Sequence, residues 1–152
     1  MTELEAFIVE AKANCYIGRA PKNDLSCRDG SHDLSFKKAD FSYLDSYFGG
    51  TDFMGQEIVW HHGIPIWGMN YFGKILHDEL LDAETAGRII TTSLQNLYMQ
   101  GRFLGGFSHE IEGYRYRDQT EGSYRRFTGI ETISRDKLCV YQLDYHGGMI
   151  RP

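Results

Sequence analysis

Two glutamates stand in the same short pattern. Glu57 closes Phe53-x-Gly55-x-Glu57, and Glu131 closes Phe127-x-Gly129-x-Glu131, at an offset of 74 residues. If these segments are strands, side chains alternate between faces, and each carboxylate shares its face with an aromatic ring, a glycine and Val59 or Ile133. A carboxylate among apolar neighbours must find a hydrogen-bond donor or a cation, or else stay protonated. Two outcomes are open. Each glutamate is either a polar anchor in an aromatic pocket, suited to an amine or other cation, or a structural acid satisfied by backbone donors, tyrosine hydroxyls or water. The first arrangement also allows general acid–base work if a second titratable group lies within reach.

The likeness runs on without a gap, because Tyr71 and Gly73 fall on Tyr145 and Gly147 at the same offset. Trp67 and Tyr71 alternate with Met69 between them, as Tyr141 and Tyr145 do with Leu143. Such a stripe is mostly core, since aromatic burial dominates core energetics. Where it reaches the strand ends it can line a groove. The candidate ligand-binding residues are therefore Glu57, Glu131, Trp67, Tyr71, Tyr145 and His146, with no catalytic residue assigned.

Other chemistry is not expected. His61 and His62 are adjacent and on one strand would face opposite ways, while His32, His77, His109 and His146 show no zinc or iron spacing. No metal or cofactor follows. Tyr114 to Arg117 and Tyr124 to Arg126 interleave base with aromatic, but Glu112, Asp118 and Glu121 offset them, as on a solvated sheet face. A net charge of −5 also argues against a nucleic-acid partner.

These residues need elements to position them. Thr2 and Glu5 form a capping box for a helix over 3–16, with Leu4, Phe7, Ile8, Ala11 and Cys15 on one face and Gly18 as its stop. Residues 19–40 read as a long polar loop with one short edge strand at Leu34 and Phe36. Strands follow at 41–48, 55–61 and 64–72. A second helix is capped by Asp82 and stopped near Gly101, and three more strands are expected at 111–118, 124–133 and 138–146. The fold class is α+β: a curved antiparallel sheet from two repeated helix-strand-strand-strand halves, about 1–75 and 76–152. Both helices pack on one face, and a ligand groove lies between the halves.

At 152 residues the chain fits a single domain with a sizeable core. Three unpaired cysteines, an acidic N-terminal segment and no apolar run long enough to span a bilayer suggest a cytoplasmic protein with free thiols and no membrane partner.

The segments GSHDL (30–34), YLDSYFGG (43–50), FMGQEIVW with GIPIWGMNYFG (53–73) and VYQLDYHGGMI (140–150) resemble an uncharacterised family of small bacterial and archaeal domains. Some members of that family stand alone and others follow a helix-turn-helix. The resemblance implies no activity. The duplicated strand-helix-strand-strand plan is also similar to effector-binding domains of multidrug-responsive regulators. There a glutamate in an aromatic groove meets cationic ligands, the position that Glu57 or Glu131 would hold. The expectation is a small-molecule binding domain; the alternatives are a small hydrolase or isomerase using Glu57 or Glu131, or a homodimeric interaction module.

Overall fold

The computed structural model describes residues 1–17, 22–23 and 25–151. Helix α1 spans Glu3–Lys12 and begins as its sequence requires: Thr2 accepts from the Glu5 N–H while the Glu5 carboxylate accepts from the Thr2 N–H. The helix then widens into a π-helical turn, Ala13–Ile17, instead of running on as α-helix to Tyr16. The expected stop at Gly18 lies outside the described residues.

Eight strands form one antiparallel sheet in the order β1-β2-β3-β4-β8-β7-β6-β5. They are β1 His32–Lys38, β2 Phe41–Gly49, β3 Phe53–His61, β4 Ile64–Ile75, β5 Phe107–Ile111, β6 Tyr114–Ser123, β7 Arg126–Arg135 and β8 Leu138–Met149. Helix α2, Ala83–Met99, joins β4 to β5 and is capped by the Asp82 carboxylate accepting from the Thr85 N–H. The architecture is α+β as expected, but each half of the chain supplies four strands, not three. Strand β1 is the edge strand expected at Leu34 and Phe36 and adds a fourth strand to the first half, and the segment around Ile111 splits into β5 and β6 at a Glu112-Gly113 turn with both φ values positive.

The last strands of the two halves, β4 and β8, meet at the centre of the sheet, with Tyr71 opposite Tyr145. On one face the odd-numbered residues of β2, β3, β4, β7 and β8 and the even-numbered residues of β6 point under the two helices, and the core forms there. Across the seam, Phe53 stacks toward Tyr141 at 6.5 Å and Phe127 toward Trp67 at 5.9 Å. Trp67 is fully buried, and its indole N–H donates to the Tyr124 carbonyl at 3.0 Å. The opposite face carries exposed apolar side chains, among them Met54 and Phe72. Among the described residues no helix is long and apolar enough to cross a membrane.

Candidate functional site

Period-two alternation on β2 and β3 places Asp45 beside Glu57, its partner in register, and the same rule on β6 and β7 places Asp118 beside Glu131. Each aspartate meets a tyrosine from the central strands. The Tyr71 hydroxyl donates to Asp45 at 2.7 Å and the Tyr145 hydroxyl donates to Asp118 at 2.6 Å. The two tyrosines can lie across the neighbouring strand because it carries glycine: a Cβ on Gly55 would overlap the Tyr71 hydroxyl, and one on Gly129 the Tyr145 ring. The Gly-x-Glu spacing is thus a steric arrangement, one residue yielding room and the next but one supplying charge.

The Asp45–Glu57 side is closed from above by the first helix. On α1 and its π-helical turn, Ile8, Lys12 and Tyr16 follow at four-residue steps, which brings two polar tips onto the buried face. The Lys12 ammonium lies 2.7 Å and 2.6 Å from the two oxygens of Glu57, with both residues buried. The Tyr16 oxygen stands 2.7 Å from Asp45 and 2.9 Å from Glu57. One phenol has one proton, so it cannot donate to two ionised carboxylates at once. A protonated Asp45 resolves the count: it donates to Tyr16, and Tyr16 donates to Glu57. The electrostatics agree, because burial and the neighbouring Glu57 charge hold the Asp45 carboxyl well above its ordinary range, outweighing the Tyr16 and Tyr71 hydroxyls and Lys12.

The Asp118–Glu131 side has no such lysine among the described residues. Asp118 accepts from Tyr145 and from Thr120, the latter at 3.2 Å, and burial still raises its pKa. Glu131 accepts from the Tyr116 hydroxyl and from Tyr141 at 3.2 Å. Burial, reinforced by the Asp118 charge, pushes it up to about 7 against those two donors.

All four carboxylates line one cavity of about 480 Å³ between the sheet face and the two helices. Leu94, Leu97, Tyr98 and Phe103 supply its apolar wall, and the exposed residues Lys22, Gly50 and Thr51 stand at its rim. Of the residues expected from the sequence, Glu57, Glu131, Tyr71 and Tyr145 come together here. Trp67 and His146 do not. Trp67 is core, and His146 alternates with Tyr145 to the opposite face, in a second hollow where its ring lies 3.3 Å from the Asn70 amide nitrogen. Sequence reasoning missed Lys12, Tyr16, Asp45 and Asp118. Their signals were a lone lysine on an apolar helical stripe and acids flanked by tyrosines at period two.

The adjacent histidines also depart from expectation. His61 ends β3, but His62 sits at φ +50° in the following turn, so the two rings approach to 4.3 Å instead of facing opposite ways.

No curated protein and no solved structure matches the chain. The segment from Asp45 to Tyr145, which holds all four carboxylates, falls within the stretch 45–150 that matches the family model of the domain of unknown function DUF5680, and by that match the chain belongs to this family.

Proposed function

We propose that the chain is a small-molecule binding domain whose cavity takes a compact, partly aromatic cation. One observation carries this: among the described residues, four buried carboxylates share a cavity with a single buried cation, Lys12. Lys12 is already committed to Glu57. Among the described residues Asp118 and Glu131 have hydroxyl donors alone, and an amine entering from the rim would supply a charge to pair with them. The tyrosines beside them offer ring faces to the same cation. A cavity of this size and apolar wall suits a metabolite or drug-sized ligand.

The two sides of the seam are, in this proposal, a duplicated unit. Its support is the recurrence of the same contacts: tyrosine to aspartate, tyrosine over glycine, and phenylalanine stacked across the centre. The ligand then sits beside the copy that, among the described residues, has no internal cation to match Lys12.

Thermal shift of the full chain against matched pairs of aromatic amines and their neutral isosteres tests the binding proposal. Amines raise the melting temperature, isosteres do not, and Asp118→Asn removes the difference. Equal shifts for both members of every pair would sink it. The proton-sharing run Asp45–Tyr16–Glu57 favours a second reading, an acid–base enzyme acting on the bound molecule. Mass spectrometry of each stabilising compound after incubation separates the two, since a pure binder returns it unchanged.

A further inference from the structure

We propose that Asp40, His61 and His62 form a surface site for a borderline divalent cation of the zinc, nickel or copper class. The site stands apart from the cavity. His61 is four residues along β3 from Glu57, about 13 Å at the rise of a strand.

Two neighbouring turns build it. Asp40 lies between β1 and β2, and His62 follows β3, with the His62 N–H donating to the Asp40 carbonyl at 3.0 Å to tie the turns together. The left-handed backbone at His62 turns its ring back beside His61, and the His61 ring is held by stacking on Phe41 at 4.5 Å. One ligand atom from each of the three residues then lies within 4.8 Å of the others. Nδ1 of His62 is 3.7 Å from Oδ1 of Asp40. Two ligands on a tetrahedral ion with bonds of about 2.0–2.1 Å stand roughly 3.3 Å apart, so a small side-chain rotation closes the set.

Two imidazoles and one carboxylate select the class. Calcium and magnesium want oxygen ligands throughout, whereas imidazole nitrogen suits zinc, nickel and copper. Three protein ligands leave at least one position to water or to a donor from another molecule. Between the side chains themselves the ionic contact is the long His62–Asp40 one, which at an exposed position stabilises little, so both groups are free to turn toward a cation.

Isothermal titration of the full chain with zinc chloride at pH 7.5 is the test. One zinc per chain is expected, with affinity falling roughly tenfold or more in His61→Ala and in His62→Ala, and less in Asp40→Asn. His77→Ala leaves it unchanged. The exposed thiol Cys27 is the competing ligand, so Cys27→Ser must also leave it unchanged. Ring resonances of the unmutated chain give a readout that does not depend on any variant folding: zinc must shift His61 and His62 and not His146. No binding, binding indifferent to His61 and His62, or binding lost only in Cys27→Ser overturns the proposal.

Discussion

At the residue scale the most consequential contact is Lys12 with Glu57, because each is buried and each leaves the other uncompensated if removed. Lys12→Met should destabilise the chain by about 3–5 kcal/mol, the usual cost of breaking a buried pair from one side. Replacing both, as Lys12→Met with Glu57→Leu, should recover most of that loss, since two apolar side chains need no partner. Urea unfolding of the three variants checks it, and a double variant no more stable than the single would show that the pair is not acting as a pair. Glu57 was legible in the sequence because it breaks an apolar face of a strand. Its partner was not, because Lys12 lies 45 residues away on a helix whose last turn is π-helical. No local pattern couples those two positions. Asp45 was hidden differently: alternation puts it on one face with Tyr43 and Tyr47, but Leu44 and Phe48 make the other face look as apolar, so the sequence does not mark which of the two is buried.

At the scale of elements, capping and alternation were enough to place both helices and most strands. The β7–β8 turn fell where it was expected, between the strands at 124–133 and 138–146, with Asp136 and Lys137 at φ +49° and +70°. The β5–β6 turn did not: Glu112 stands at φ +53° before Gly113, a left-handed pair that closes a hairpin inside a segment read as loop and single strand. Strand β5 went unseen for a related reason. Phe107, His109 and Ile111 alternate correctly, but His109 is a polar residue facing α2, where its ring lies 3.1 Å from the Ser93 hydroxyl, so the segment looks like loop. The β7–β8 turn yields a prediction. Lys137 is exposed and left-handed, so Lys137→Gly should stabilise the fold by about 1 kcal/mol, the lower end of what an L-residue loses there. A rise in the urea midpoint with an unchanged slope is the expected signature; a fall would mean that the lysine side chain contributes more than its backbone costs.

For the whole molecule, the buried acids set how stability follows pH. Glu131 has its pKa raised from 4.5 to about 7 in the folded state, so between those values the folded chain holds a proton that the unfolded chain has released. Stability from this group is complete below about pH 4.5 and is lost as pH rises through about 7. The gap corresponds to about 3 kcal/mol, and Asp45 and Asp118 push in the same direction. The fold therefore works against the ionised form of these acids near neutrality, the form that the proposed site requires. Urea unfolding from pH 4.5 to 8 should show the unmutated chain losing ground to Glu131→Gln by about that amount, because glutamine has no proton to surrender. A constant difference between the two would mean that Glu131 is ionised throughout. The same proton gives the binding proposal its own pH dependence with the opposite sign. A cation at Asp118 and Glu131 favours the ionised acids, so its affinity should rise as pH climbs through about 7, where the unliganded chain is weakest. Ligand and proton then compete for one buried pair of acids, and the stabilisation measured on adding an aromatic amine should be larger at pH 8 than at pH 5.5.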